Sequence, residues 1–174
     1  MHSIVFEALH PGVEPPTRAT AHSAGYDLRA WFATDTITVW QGTTTLQRAL
    51  SGAAPERTLT LAPGERVIVP LGFRATLPEG IEGQIRARSG VALKRGLIVP
   101  NAPGTIDPDY TGEWGVLLLN AATTDVSIVH GERIAQLILE NYTVAEVVEV
   151  PSENTPLVDA TNRGAAGFGS TGLF

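Results

Sequence analysis

Glycine and proline divide this chain into short segments, and no other feature limits its fold more. Its 174 residues include 18 glycines and 12 prolines. The segments between them are rich in Val, Ile and Leu, as β-strands are, and the frequent turns leave little room for long helices. Hydrophobic residues make up 43% of the chain, which is enough for the core of one domain of ordinary size. The sequence therefore predicts an all-β domain.

Six segments are predicted to be strands, because each is short, apolar or alternating, and bounded by turn residues. They are residues 66–71, 83–88, 115–119, 125–129, 134–139 and 144–150. The segment 115–119 is apolar throughout, which is typical of a strand buried on both faces. Strands of this length and spacing favour a sandwich or a barrel-like jelly roll.

One short helix is predicted over residues 91–95, with Gly96 as its stop. It follows Arg88-Ser89-Gly90, so a strand would lead into a small loop and then into a helix N-terminus. Such an arrangement offers backbone N–H groups to an anion. An ordinary connection without a ligand would give the same pattern, and the local sequence leaves both readings open.

Two segments are predicted to lie outside the compact core. Residues 31–57 form a long polar insertion with one strand-like piece at residues 36–40. Residues 151–174 are rich in Gly, Ser and Thr, and most of them carry too little apolar surface to order themselves. The predicted organisation is a β-barrel domain, residues 1–150, followed by an extended C-terminal arm, residues 151–174.

Composition excludes several classes of function. The chain has no cysteine, which excludes disulfides, thiol nucleophiles and Cys-zinc sites. A net charge of −6 argues against duplex nucleic acid as a partner, although backbone N–H groups and a metal ion can still hold a polyphosphate. No apolar run approaches the roughly 18 residues of a membrane span, and the N-terminus does not resemble a signal peptide. We expect a cytoplasmic protein with no membrane partner.

Acidic residues cluster in one bend that is flanked by Gly and Pro. Asp107, Asp109 and Glu113 lie in or beside a tight hairpin predicted within residues 104–113. A positioned Asp can act as a general base toward water. Asp and Gly are also common in turns that have no catalytic role, and the local sequence does not separate the two interpretations.

Three arginines near glycines are candidate phosphate ligands, namely Arg88, Arg133 and Arg163. The planar guanidinium suits phosphate oxygens, although structural ion pairs at strand ends would also explain these residues. In the arm, Phe168 could stack on a base while Ser170 and Thr171 reach phosphates. A disordered terminus would have the same composition. The histidines show no metal-ligand spacing, and Ser89 has no sequence partner for a catalytic triad.

Five segments, taken in order, resemble the motifs of the trimeric dUTPase family. They are residues 24–28 (AGYDL), 88–90 (RSG), 104–110 (GTIDPDY), 131–136 (GERIAQ) and 163–172 (RGAAGFGSTG). The match runs from about residue 23 to residue 172 and is interrupted mainly by the insertion. One such motif alone is weak evidence, whereas five in order with near-family spacing are specific.

The resemblance implies a fold and an activity. The implied fold is a jelly-roll or β-clip subunit with one short helix and a flexible C-terminal arm. Such subunits form a homotrimer in which each site lies at a subunit boundary and the arm of a third subunit closes it. The implied activity is hydrolysis of dUTP to dUMP and pyrophosphate, with Mg²⁺ as cofactor. This activity limits uracil in DNA and supplies dUMP for dTMP synthesis.

The resemblance also implies roles for individual residues. Asp107 would activate the water that attacks the α-phosphorus, and Tyr110 would pack against the deoxyribose and exclude a 2′-hydroxyl. Asp27 would help to hold hydrated magnesium through water, and Phe168 would cap the uracil. The uracil edge would be bound by Asn101 and by backbone groups of a hairpin over about residues 97–106, including Thr105 and Ile106. The phosphates would be bound by Arg88, Ser89, Gly90, Gln136, Arg163, Ser170 and Thr171.

The chain departs from the family pattern in three places. Ala87 stands where Pro is usual, and Ala166 stands where Gly is common, but neither change removes a polar group. The insertion at about residues 31–57 is interpreted as a surface elaboration, with a protein-binding arm as the alternative.

Three other functions are weighed against dUTP hydrolysis. A dCTP deaminase would share the fold but needs a glutamate in the strand at residues 116–119, which is entirely apolar here. A nucleotide-sensing regulator would add to the enzyme activity rather than replace it. An inactive structural trimer is disfavoured, because the chain keeps Asp107, Tyr110, Ser89 and Phe168 together.

Overall fold

The structure, a computed structural model, describes residues 3–149 of the chain. In this part of the chain it contains 13 strands and one helix, α1 (Ser89–Arg95), so the predicted all-β class with one short helix is confirmed. None of the described helical segments is long and apolar enough to span a membrane. The strands are β1 (Val5–Ala8), β2 (Thr17–Arg18), β3 (Tyr26–Arg29), β4 (Thr36–Gln41), β5 (Thr44–Ala49), β6 (Thr58–Leu61), β7 (Glu65–Thr76), β8 (Ile81–Ala87), β9 (Leu97–Ile98), β10 (Gly104–Ile106), β11 (Glu113–Asn120), β12 (Val126–Val129) and β13 (Arg133–Asn141).

The strands form three antiparallel sheets. A six-stranded sheet has the order β5-β4-β7-β11-β9, with β1 also paired to β7, and a five-stranded sheet has the order β10-β8-β13-β3-β2. Strands β6 and β12 pair with each other in a third, two-stranded sheet. The longest strand, β7, has 12 residues and pairs with β11 along one edge. Its other edge is shared, since β4 pairs with one end of β7 and β1 pairs with the other.

Alternation along the strands separates the core from the outer faces. On β11, Trp114, Val116 and Leu118 are buried, whereas Gly115 and Leu117 are only half-buried. Successive side chains of a strand point to opposite faces, so an apolar run can still have one open face. The prediction that residues 115–119 are buried on both faces is therefore wrong. Buried side chains from all three sheets belong to one hydrophobic cluster.

Five of the six predicted strands are confirmed, as β7, β8, β11, β12 and β13. The predicted helix is also confirmed. Gly96 ends it in the left-handed conformation, with φ of 68°, and its N–H donates to the Ala92 carbonyl at 3.0 Å. The prediction of a strand over residues 144–150 is wrong for residues 144–149, which form no strand. Val144, Val147 and Val148 are exposed there, so β-branched side chains without a sheet to bury them did not produce a strand.

The insertion is joined to the core more closely than predicted. Strands β4 and β5 form a hairpin, and β4 extends the six-stranded sheet by pairing with β7. Phe32 is 2% exposed and Val39 is fully buried. Arg48 on β5 also pairs with the buried Glu65 carboxylate of β7 at 2.5 Å. The prediction that residues 31–57 lie outside the compact core is therefore wrong, and a protein partner for this segment stays a prediction.

The backbone of one residue, Phe32, anchors the start of the insertion. The Phe32 N–H donates to His130 Nδ1 at 3.1 Å, and the Phe32 carbonyl accepts a hydrogen bond from Arg57 Nη1 at 3.1 Å. Arg57 also pairs with Asp35 at 2.5 Å. Burial of the imidazole, together with the nearby Arg57 guanidinium, lowers the pKa of His130 below its ordinary value. The neutral ring is the form that can accept the Phe32 N–H, so folding favours it.

We predict that His130 makes the fold less stable in mild acid. Because the pKa of His130 is lowered in the folded state, its stabilising contribution is present above the unfolded-state pKa of about 6.5 and is lost as the pH falls below that value. The free energy of unfolding, measured by urea denaturation between about pH 7 and pH 5, should therefore fall less in His130→Asn, whose amide oxygen accepts the N–H without titrating. The control is His22→Asn, at an exposed position. Equal pH dependence in His130→Asn and the wild type would contradict the prediction.

Candidate active site

The described residues that the sequence predicts for the site lie in two clefts. The first, called here the β11 cleft, has a volume of about 420 Å³ and includes these predicted residues: Asn101, Thr105, Ile106, Asp107 and Tyr110. The second, called the α1 cleft, has a volume of about 630 Å³ and includes these: Asp27, Arg88, Ser89, Gly90 and Gln136. The two clefts have no lining residue in common. The fold thus groups the motifs but divides them between two places on the subunit.

The floor of the β11 cleft is the outer face of β7 and β11. Ile68 is paired with Leu117, and Pro70 with Gly115, across these two strands. Ile68 is 53% exposed, because the residues on either side of it in β7 point into the core. Gly115 leaves room for it, since a Cβ at Gly115 would lie 2.7 Å from Ile68 Cγ2. The result is an apolar floor that suits the apolar face of a bound molecule.

The bend between β10 and β11 carries the predicted general base. The Tyr110 N–H donates to the Asp107 carbonyl at 3.1 Å, which closes the bend, and the Asp107 side chain is exposed on the cleft. Glu113 also lines the cleft, but its Oε1 accepts the Gly72 N–H at 3.0 Å and so supports β7. Asp109 does not line the cleft. Of the three clustered carboxylates, Asp107 and Glu113 thus line the cleft, and Glu113 is held by its hydrogen bond to β7.

Asn101 lies where the chain crosses between sheets. Strand β9 pairs with β11 in the six-stranded sheet, whereas β10 pairs with β8 in the five-stranded sheet. The predicted hairpins over residues 97–106 and 104–113 are therefore wrong, because the strands at their two ends belong to different sheets. A Cβ at Gly104 would lie 3.1 Å from Asn101 Nδ2, so the glycine lets the amide lie close to the backbone. The crossing brings Asn101 and Asp107 to the same cleft.

The α1 cleft is rich in cations, although the whole chain has a net charge of −6. Arg88 and Lys94 line it together with one carboxylate, that of Asp27. Arg133 adds a further cation, because it pairs with Asp27. Sequence reasoning missed Lys94 as a site residue, and its only signal was its place in the last turn of the short helix that follows Arg88. An excess of positive charge in a cleft attracts anionic ligands.

Asp27 holds two of these cations. Its Oδ1 lies 3.0 Å from Arg88 Nε, and its Oδ2 accepts a hydrogen bond from Arg133 Nη1 at 3.1 Å. Arg88 Nη1 also donates to the Arg133 carbonyl at 3.1 Å. An irregularity between Arg133 and Ala135 shifts the register of β13 against β3 at this point. The sequence left two roles open for Arg133, a phosphate ligand or a structural ion pair. The structure shows an ion pair with Asp27.

Gln136 and Gly25 fit together beside this ion pair. Gln136 lies opposite Asp27 in the register of β13 and β3, so the two side chains share one face of the sheet. Gln136 Nε2 donates to the Ala87 carbonyl at 2.9 Å, which ties the amide to the end of β8. A Cβ at Gly25 would lie 2.4 Å from Gln136 Oε1. Gly25 therefore leaves the space that the amide occupies, a role that its motif alone did not reveal.

Four predicted site residues lie beyond the part of the chain that the structure describes. They are Arg163, Phe168, Ser170 and Thr171. Their roles stay predictions.

Comparison with known proteins decides the family. A family model described as dUTPase matches residues 53–172, which is more than half of the chain. The chain belongs to the dUTPase family. Two relatives bear the name deoxyuridine 5'-triphosphate nucleotidohydrolase. The protein from Methylocella silvestris is 54% identical over 123 residues, 71% of this chain and 74% of that protein. The protein from Rhizobium etli is 43% identical over 162 residues, 93% of this chain and 87% of that protein.

The dUTPase fold is also found by comparison of structures. The dUTPase of Staphylococcus bacteriophage 80alpha, solved with dUPNHPP, superposes with a TM-score of 0.73 at 24% identity. The alignment covers 98% of this chain and 99% of that one. The predicted dUTPase-like all-β fold is therefore confirmed.

The deaminase alternative lacks its catalytic group in this dUTPase family member. Strand β11 has the sequence EWGVLLLN, and its only acidic residue is Glu113 at the start. The Glu113 carboxylate is already hydrogen-bonded to the Gly72 N–H. Val116 and Leu118, in the middle of the strand, are buried in the core.

We predict that Gly25→Ala destabilises the fold. The new methyl group would lie 2.4 Å from Gln136 Oε1, so Gln136 would have to leave its hydrogen bond with the Ala87 carbonyl. Such overpacking should lower the free energy of unfolding by roughly 1–3 kcal/mol, measured by urea denaturation. Adding Gln136→Ala removes the obstructing amide, so Gly25→Ala should cost much less in that background. An equal cost in both backgrounds would show that Gly25 acts elsewhere.

Proposed function

We propose that this protein hydrolyses dUTP to dUMP and pyrophosphate by attack of water at the α-phosphorus. One observation carries the proposal: in a member of the dUTPase family, each described residue to which the family resemblance assigns a role lines one of two clefts of complementary chemistry. The β11 cleft has an apolar floor with a carboxylate and an amide at its edge. The α1 cleft is cationic. A nucleoside triphosphate has these same two parts, an apolar-faced nucleoside and a polyanion.

In the β11 cleft the nucleoside would be held by shape and by hydrogen bonds. Asn101 and the backbone at Thr105 and Ile106 offer donors and acceptors to the edge of uracil. Buried donors left unpaired by a different base would disfavour that base. Tyr110 would lie against the deoxyribose, and Asp107 would accept the proton of the attacking water.

In the α1 cleft the phosphates would meet Arg88, Ser89 and Gln136. Arg88 is already oriented by Asp27 and by the Arg133 carbonyl, so less of its side-chain freedom remains to be lost on binding. Preorganised donors of this kind stabilise the charge that develops in phosphoryl transfer. Lys94 adds a further positive charge on the same cleft.

The division into two clefts supports a site shared between subunits. The β11 cleft and the α1 cleft have no lining residue in common, which is the division expected if residues of different subunits meet around one ligand. In a homotrimer, the β11 cleft of one subunit would face the α1 cleft of a neighbour. Residues 151–174 would then serve as the arm that closes the site of another subunit, with Phe168 on the uracil and Arg163, Ser170 and Thr171 on the phosphates.

The described residues fit magnesium that arrives with the substrate. Residues 3–149 contain no group of three or more His, Cys, Asp or Glu side chains that could hold a metal ion. Both oxygens of Asp27 contact guanidiniums, at 3.0 and 3.1 Å, but each can accept a second hydrogen bond from a metal-bound water. Asp27 would thus hold a hydrated ion through water. When bound, the ion would neutralise charge on the phosphates.

We predict that Asp107→Asn lowers the rate of pyrophosphate release from dUTP by at least about a hundredfold, because the general base is lost. Binding of a non-hydrolysable dUTP analogue, measured by calorimetry, should change little. The matched control is Asp109→Asn, since Asp109 lies in the same bend but does not line the cleft. Water labelled with oxygen-18 should place its label on dUMP. A label on pyrophosphate, or wild-type turnover in Asp107→Asn, would refute the mechanism.

We predict that removing residues 163–174 abolishes most activity and leaves the trimer intact. The deleted segment would supply ligands for uracil and phosphate, whereas all of the core side chains observed lie before it. Light scattering after gel filtration gives the oligomeric state, and pyrophosphate release gives the activity. A truncated protein that is monomeric would contradict the proposed role of the arm, as would a truncated protein with full activity.

A further inference from the structure

The Tyr110 side chain lies against a backbone position that has no side chain. A Cβ built on Gly112 would be 2.5 Å from the Tyr110 hydroxyl oxygen, 2.8 Å from Cζ and 3.1 Å from Cε2. The first two separations are shorter than real Cβ contacts allow, so any other residue at 112 would force the phenol ring to move. Gly112 does not line the β11 cleft, whereas Tyr110 does. The glycine lies behind the ring.

The phenol ring is also anchored by its hydroxyl group. The Tyr110 hydroxyl donates to the Glu113 carbonyl at 3.0 Å. Glu113 is itself fixed, because it is paired with Arg74 in the register of β11 and β7 and its side chain accepts the Gly72 N–H. The ring is 44% exposed, so core packing does not hold it. Its orientation therefore depends on the space at Gly112 and on one hydrogen bond.

We propose that Gly112 is a positioning residue for sugar selectivity. Gly112 leaves room for the Tyr110 ring against the backbone of residues 112–113. In this position the ring leaves space in the cleft for a deoxyribose but none for the 2′-hydroxyl of a ribose. This inference rests on the proposed function, in which Tyr110 packs on the sugar. With a side chain at residue 112 the exposed ring would swing outward, and the space that it had closed would accept a 2′-hydroxyl.

The test compares hydrolysis of dUTP and UTP by full-length Gly112→Ala and the wild type. We expect the ratio of kcat/KM for dUTP to that for UTP to fall by about tenfold or more, the scale on which pocket shape discriminates a small group. In a Tyr110→Ala background, Gly112→Ala should leave the ratio unchanged, since no ring remains to be displaced. The matched control is Thr111→Ala, which changes the same bend without adding an atom beside the ring.

A second variant and a direct probe cover the case in which Gly112→Ala folds poorly. Tyr110→Phe keeps the glycine and the ring but removes the hydroxyl that Glu113 holds, and it should also lower the ratio. In protein labelled with 3-fluorotyrosine, Gly112→Ala should shift the fluorine-19 resonance of Tyr110, assigned by its loss in Tyr110→Phe.

Three results would overturn the inference. They are an unchanged ratio in Gly112→Ala, an unchanged ratio in Tyr110→Phe, and a ratio that Gly112→Ala lowers equally in the Tyr110→Ala background. A wild-type protein that does not hydrolyse dUTP would instead refute the proposed function, so the two failures are distinguishable.

Discussion

The antiparallel pairing of β7 with β11 is the interaction on which the rest of the structure depends. Its register puts four residues on one face, where each is at most 1% exposed: Val67, Val69, Val116 and Leu118. The same register puts the alternate residues of both strands on the other face, where they form the floor of the β11 cleft. Burial of the apolar side chains on one face stabilises the pair by about 25 cal/mol per Å² of apolar surface removed from water. The other face of the pair stays open to a ligand.

The two clefts use different physical means to prepare for their ligands. In the β11 cleft, glycines at three places leave room for neighbouring side chains: Gly115 for Ile68, Gly104 for Asn101 and Gly112 for Tyr110. In the α1 cleft, ion pairs position the side chains, since Asp27 pairs with two arginines and so orients Arg88. A flexible phosphate ligand calls for oriented cations, whereas a rigid base and sugar call for fixed shape.

Much of the fold could be predicted from local pattern, and the errors share one cause. The strand β8 and the helix ending at Gly96 follow from alternation and from a left-handed stop, both of which are local. The hairpins over residues 97–106 and 104–113 were wrong, because the pairing of β9 with β11 and of β10 with β8 is decided between distant segments. The insertion was misjudged for the same reason. Its hairpin is polar by composition, yet pairing with β7 buries Val39.

The sequence by itself determined the chemical groups: three carboxylates clustered in one bend, arginines near glycines, and five motifs in family order. Each depends on residue type and spacing along the chain, which folding does not alter. Only the tertiary structure decided which groups meet. It separated Asp107 from Arg88 into different clefts, joined Arg133 to Asp27, and placed Gly25 against Gln136. These outcomes depend on distances of a few ångströms between residues far apart in sequence, and such distances exist only once the sheets have packed.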